Sequence, residues 1–142
     1  MILRFHKISR YFYLNRFYKL SRFISFLIRI IFSCDLKGSV QIDKNVFFYH
    51  NGLGVVIHSL AHIKMGTSIY QNVTIGGNGK DEIDNGVPQI GENVTISAGA
   101  VIIGPIVIGD NTVIAANAVV STSIPENSLA GGIPAKVIKK LS

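Results

Sequence analysis

The hydrophobic positions of this chain repeat every six residues over most of its length. Between residues 90 and 125, β-branched aliphatic residues recur at that spacing: Ile90, Ile96, Ile102, Ile108, Ile114 and Val120. The position four residues after each is again small or aliphatic, while Gly, Asp, Asn and Ser fill the places between. Such a period is typical of a solenoid in which each hexad forms a short strand and a turn. One hexad cannot bury its own apolar residue, so the hexads must stack.

The same period occurs in two earlier blocks, Ile57, Ile63, Ile69, Ile75 and Leu36, Ile42, Phe48. Two interruptions break it, because nine residues separate Phe48 from Ile57 and fifteen separate Ile75 from Ile90. We expect loops to leave the solenoid there and to carry functional residues. A β-sandwich with accidental spacing is the alternative, and the recurrence of the period in three blocks disfavours it.

Particular repeats resemble a known family. The blocks Ile-Gly-Glu-Asn-Val-Thr and Ile-Gly-Asp-Asn-Thr-Val and the ending Gly-Gly-Ile-Pro-Ala-Lys resemble the hexapeptide-repeat acyltransferases, most closely their serine acetyltransferase branch. The resemblance covers roughly Asp35 to the C-terminus. It implies a mainly β fold, a left-handed parallel β-helix of triangular section, assembled as a homotrimer with active sites between subunits. The left hand comes from the resemblance alone, since parallel strand connections are usually right-handed.

The N-terminal segment differs from the repeats in composition. It contains seven basic residues and no acidic residue before Asp35: Arg4, Lys7, Arg10, Arg16, Lys19, Arg22 and Arg29. The chain's formal charge is +6, so the remainder is close to neutral, which argues against a nucleic-acid-binding protein. We predict helix in two pieces divided around Leu14 and Asn15. The domain prediction is therefore a helical segment at 1–34 and a β-helix acyltransferase domain at 35–142 with a loop at 76–89.

Two roles are open for residues 1–33, and they are compatible. The apolar face packs on the end of the solenoid and on neighbouring subunits, or it lies on an anionic membrane surface. The run from Phe23 to Phe32 is too short and too charged to span a bilayer. A lipoprotein signal ending at Cys34 is disfavoured by Arg29 and Phe32. Because Cys34 is the single cysteine, we expect a reducing, cytoplasmic location, including the inner face of the membrane.

His50 is the candidate general base. It lies beside the first interruption in Tyr-His-Asn-Gly-Leu-Gly, where neighbouring glycines favour an exposed side chain. In the resembled family a histidine at the matching place acts as general base, and an aspartate fifteen residues earlier orients it, which is the spacing of Asp35 and His50. A neutral imidazole can take a proton from a hydroxyl near neutral pH, and a carboxylate on its other nitrogen stabilises the imidazolium.

The second interruption begins with Gly76 and Gly77, whose backbone N–H groups are candidates for holding an oxyanion. Candidate acceptor contacts are Tyr49, Asn51 and Val87. Serine acetyltransferases have an acidic residue before the base and an Arg-His pair before the loop proline, whereas this chain has Tyr49, then Gly86 and Val87 before Pro88. Since charged partners for an amino acid are missing at these places, we expect a neutral hydroxyl acceptor.

The donor side follows the family more fully. Small residues are expected to keep a groove open for the pantetheine arm, and lysines to bind the phosphates and adenine of coenzyme A. The candidate cofactor contacts are Gly77, Lys80, Ala98, Gly104, Ala116, Lys136 and Lys139.

The predicted function is O-acetyl transfer from acetyl-CoA to a hydroxyl of a sugar in a bacterial surface polysaccharide or its precursor. Transfer is direct, because nothing marks Cys34 as an activated nucleophile. Serine O-acetyltransfer in cysteine biosynthesis is the alternative. A more remote one is a metal solenoid of the γ-carbonic anhydrase kind with His50, His58 and His62 as ligands, and a further one is a catalytically inactive scaffold. We expect no metal and no nucleic-acid partner.

Overall fold

The computed structural model describes residues 1–79 and 86–142 of the 142-residue chain. Two helices come first, α1 (Ile2–Leu14) and α2 (Tyr18–Phe32), which confirms the predicted division around Leu14 and Asn15. The Asn15 side-chain amide donates to the Tyr11 carbonyl at 2.8 Å, where α1 ends. Among the described residues no helix is both long and apolar enough to span a bilayer.

Fourteen strands of the described residues form three sheets around a common interior. The first sheet contains β1 (Gln41–Ile42), β4 (His62–Ile63), β7 (Gln89–Ile90) and β10 (Val107–Ile108). The second contains β2 (Phe47–Phe48), β5 (Ser68–Ile69), β8 (Thr95–Ile96), β11 (Val113–Ile114), β13 (Ser128–Gly132) and β14 (Ala135–Lys140). The third contains β3 (Val56–Ile57), β6 (Thr74–Gly76), β9 (Val101–Ile103) and β12 (Val119–Val120).

The chain visits the three sheets in turn, so each circuit adds one strand to every sheet and forms one coil. Pairing is parallel throughout except for the closing hairpin of β13 and β14. Inward residues of successive coils stack directly, as Ile69 does on Ile96 and Ile96 on Ile114. Each coil therefore buries the isoleucines of the next.

The residues of the six-residue period form the interior. Fully or almost fully buried are Ile57, Ile63, Ile69, Ile75, Ile90, Ile96, Ile102, Ile108, Ile114 and Val120. Ile42 and Phe48 of the first coil are only half-buried, and they pack against the core where α1 and α2 close the end of the solenoid. The turns between strands use asparagine in the left-handed region, with φ from 51° to 59° at Asn45, Asn72, Asn93, Asn111, Asn117 and Asn127. Asparagine tolerates this backbone better than most residues.

The helices belong to the same hydrophobic core as the coils. Ile2, Ile28 and Phe32 are buried in that core. Polar contacts fix the helices further, because one guanidinium nitrogen of Arg10 donates to the carbonyl oxygens of Gly38, Ser39 and Val40 at 3.4, 3.1 and 3.1 Å. Arg10 is thus a structural residue of the junction.

Arg10→Gln tests this junction. The shorter side chain leaves carbonyl groups of the first coil without their charged donor, and we expect the free energy of unfolding to fall by about 1.5–3 kcal/mol. Chemical denaturation measures the change, with the exposed Arg4→Gln on the same helix as the control, expected within about 0.5 kcal/mol of the parent. Equal stability of both variants would contradict the assignment.

Candidate active site

His50 lies on a sharp turn between the second and third sheets. The turn spans Tyr49–Gly52, and within it His50 and Asn51 have left-handed backbone, with φ of 52° and 53°. Two consecutive left-handed residues other than glycine are uncommon and are usually held by their surroundings. We call the turn and the equivalent positions of later coils the histidine corner. Tyr49, His50 and Asn51 are all exposed there.

Buried groups beneath the turn hold it in place. Gly52 has φ of 74°, and a Cβ on it would lie 3.0 Å from Ile2 Cδ1 and 3.2 Å from Cys34 Sγ. The positive φ and this close approach both favour glycine. The Gly54 N–H donates to the Ser33 carbonyl at 2.8 Å, and the Met1 amino group donates to Asn51 Oδ1 at 3.4 Å. The turn therefore rests on the junction between the helices and the first coil.

Asp35 lies where the coils begin. Its N–H donates to the Val55 carbonyl at 2.9 Å, and its own carbonyl accepts from Ile57 at 3.1 Å. The side chain is half-buried and makes no hydrogen bond or ion pair with His50. Catalytic hydrogen bonds are often long in unliganded enzymes, so pairing of Asp35 with His50 stays a prediction.

Another histidine is paired with a carboxylate. His62 Nε2 lies 2.9 Å from Asp43 Oδ1, and both side chains are about one third exposed. His62 is in β4 of the first sheet, away from the histidine corner. Spacing in sequence did not indicate this pair, because the two residues come together only through the pairing of neighbouring coils.

Tyr49 has a partner that sequence reasoning missed. The Tyr49 and Tyr70 rings are stacked, with centroids 4.2 Å apart and planes 12° apart. The register of Phe48 with Ile69 places these tyrosines side by side in successive coils. Gln71, next along the chain, has a buried Oε1 with no hydrogen-bond partner among the described residues. Counting coils across the interruption indicates that the two tyrosines are neighbours, but it does not show that their rings stack or that the amide oxygen is buried.

The histidine corner continues down the solenoid as a straight row of residues, which are small beyond Gln71. The pairing registers put His50, Gln71, Ala98, Ala116 and Gly132 at equivalent positions of successive coils. Two of these are the alanines predicted to contact the cofactor, of which Ala98 is half-buried and Ala116 is exposed. The row ends beside the closing hairpin, where exposed Lys136 pairs with Gly131. Lys139 pairs with Leu129, toward the other end of the same hairpin.

The remaining predicted site residues lie at another corner, between the third and first sheets, which we call the loop corner. Gly76 ends β6, and its carbonyl accepts from the Gly104 N–H at 3.3 Å. Gly77 follows directly, and Val87 on the far side of the loop is buried. Gly104 thus lies with Gly76 rather than with the alanine row. Lys80 lies outside the described residues.

The two corners are separated by the width of the third sheet. Gln71 lies in the same row as His50 and precedes Gly77 by six residues. At about 3.3 Å per extended residue, the two corners are roughly 15–20 Å apart. A single chain therefore does not bring His50 together with Gly76, Gly77 and Val87. Nor does it gather His50, His58 and His62, and the described residues contain no cluster of three or more metal-ligating side chains.

Cys34 is inert in this environment. Its side chain is fully buried, and burial together with the nearby Asp35 carboxylate raises the pKa of the thiol to about 12. A thiol rather than a thiolate is present near neutral pH, so Cys34 is a poor nucleophile.

Comparison with known proteins identifies relatives of this chain. Residues 88–122 match the family model described as bacterial transferase hexapeptide (six repeats). A serine acetyltransferase of Staphylococcus xylosus is 39% identical over 135 residues, covering 95% of this chain and 62% of the relative. The chain thus spans about three fifths of the length of that relative.

Solved structures agree with this result. A serine acetyltransferase from Brucella abortus strain S19 superposes with a TM-score of 0.94 at 28% identity, covering 99% of this chain and 57% of that one. A structure of serine acetyltransferase in complex with coenzyme A, also from Brucella abortus strain S19, gives 0.94 at 30% identity, covering 99% and 55%. The predicted left-handed parallel β-helix preceded by helices is confirmed. Each of these relatives carries the name serine acetyltransferase.

Proposed function

We propose that this chain, a homologue of the serine acetyltransferases with hexapeptide transferase repeats, transfers the acetyl group of acetyl-CoA to a hydroxyl. The observation that carries the proposal is the exposed His50 on a left-handed turn, at the head of a row that continues through Gln71 to Ala98 and Ala116. An exposed imidazole can act on a hydroxyl while a thioester lies along this row. The relative with bound coenzyme A supports the donor.

His50 acts as the general base in this proposal. It takes the proton of the acceptor hydroxyl, and the oxygen attacks the thioester carbonyl carbon. The carbon–sulfur bond then breaks, and the coenzyme A sulfur leaves as a thiolate that receives the proton. The Asp35 carboxylate orients the ring and stabilises the imidazolium, and the Gly77 N–H holds the oxyanion. The high pKa of Cys34 supports direct transfer without an acyl-enzyme.

The separation of the two corners supports a site shared between copies of the chain. His50 of one copy and the loop corner of the next would then face the same acetyl group, as expected for the proposed homotrimer. In this proposal Lys136, beside the end of the alanine row, binds a phosphate of coenzyme A.

The acceptor we propose is L-serine, because the relatives are serine acetyltransferases. A second candidate is a neutral sugar hydroxyl. The stacked Tyr49 and Tyr70 favour it, since such rings pack against apolar sugar faces, and Gly86 and Val87 supply no charged group for an amino acid.

His50→Ala tests the base. We expect turnover to fall by about 10² to 10⁴ with acetyl-CoA binding retained, because proton transfer is lost and the donor groove is intact. His62→Ala is the matched control, since it removes a carboxylate-paired histidine that lies away from the histidine corner, and it should keep near-parental turnover. Steady-state thiol release and donor titration measure both. Parental turnover in His50→Ala would show that the base is a different group.

The acceptor is tested by thiol release with L-serine and with a panel of neutral sugars. We expect L-serine to give the highest kcat/KM, and Tyr49→Ala to leave that value within about threefold, because an amino acid does not need the stacked rings. If only a sugar accelerates thiol release, and Tyr49→Ala loses that acceleration, the sugar replaces serine as the acceptor. If neither L-serine nor any sugar accelerates thiol release, both candidate acceptors are wrong.

A further inference from the structure

A cleft of about 480 Å³ lies between α2 and the first coil. Asp35, Ser59 and Leu60 line its coil side, and Arg22, Phe26 and Arg29 line its helix side. The volume is within the range of small-molecule sites. Asp35 lines the cleft and is also the predicted partner of His50, so the cleft adjoins the candidate active site.

The cleft is strongly basic. Arg22, Arg29 and Lys37 line it, and none of them forms an ion pair with a carboxylate of the described residues. Asp35 is the one carboxylate among the described lining residues, so positive charge is in excess. Cations gathered in a concave site without partners are typical of a place that binds an anion.

The base of the cleft is fixed by close polar packing. Ser9 Oγ lies 3.1 Å from Ser21 Oγ and 3.0 Å from Ser25 Oγ, which joins α1 to α2. A Cβ on Gly38 would lie 2.5 Å from Ser21 Oγ and 2.8 Å from the Ser9 carbonyl oxygen. The first coil therefore approaches the helices as closely as glycine allows, and the arginines of α2 are held at a set distance from it.

Aromatic rings form the outer wall. The Tyr13 and Tyr18 rings meet edge to face, with centroids 5.6 Å apart, and both line the cleft with Phe26. All three are exposed, at 38%, 49% and 57%. Exposed rings beside unpaired cations suit a ligand in which a flat ring is attached to an anionic group.

We propose that this cleft binds the diphosphate group of a ring-bearing ligand, the chemistry of a nucleoside diphosphate. Arg22, Arg29 and Lys37 bind the phosphate oxygens, and the tyrosines and Phe26 contact the ring. The site differs from the proposed coenzyme A groove, since the cleft is at the first coil whereas Lys136 is at the last. A ligand held here lies beside Asp35.

Calorimetry on the full chain with inorganic pyrophosphate and with uridine diphosphate tests the proposal. We expect both to bind, the nucleotide more tightly, and Arg22→Gln and Arg29→Gln each to weaken both by about tenfold. Lys19→Gln is the matched control, because it removes a cation of α2 that does not line the cleft, and it should change neither affinity by more than about twofold. Tyr18→Ala should weaken the nucleotide only.

Two results would overturn the proposal. They are no binding of pyrophosphate, and equal losses of affinity in Lys19→Gln and in the cleft variants. Circular dichroism of each variant confirms folding before titration. Because the readout is binding, these results do not depend on acetyl transfer, and failure of the proposed reaction is detected separately through His50.

Discussion

Stacking of hexads is the constraint on which the rest of the structure depends. A two-residue strand such as β8 or β11 buries one isoleucine, and it can do so only between the coils above and below. Because the inward residues of successive coils lie directly over one another, the residues that follow them are aligned from coil to coil as well. Corners of successive coils therefore form straight rows, and a turn at one coil, such as that of His50, is aligned with Ala98 and Ala116 two and three coils away.

The first coil has no coil before it, and the helices take that place. Ile28 and Phe32 supply the apolar contact, and the Arg10 guanidinium supplies hydrogen bonds to coil carbonyls. The same junction supports the histidine corner through Ile2 and Cys34 beneath Gly52. The basic segment thus has a structural role in addition to any surface role, and two of its arginines, Arg22 and Arg29, line the cleft.

Sequence periodicity predicted the inward residues and both interruptions, because a single six-residue spacing sets burial in every coil. It also predicted His50 on an exposed turn, since glycines surround it. What it missed requires three dimensions: the Tyr49 and Tyr70 stack and the orphaned Gln71 depend on which coil follows which, and Asp43 with His62 depends on strand pairing. The distribution of the predicted site over two corners also could not be seen, because spacing along the chain does not say which corner a residue reaches.

The central claim of this account is that the proposed reaction uses the histidine corner of one copy and the loop corner of another. It is tested most directly by co-expressing two inactive chains, His50→Ala and Gly77→Pro, the second of which lacks the candidate oxyanion donor. With random mixing in a trimer, about a quarter of the shared sites contain both intact corners, so the mixture should regain about a quarter of parental turnover. A mixture that forms hybrid trimers but stays as inactive as either parent would contradict the claim.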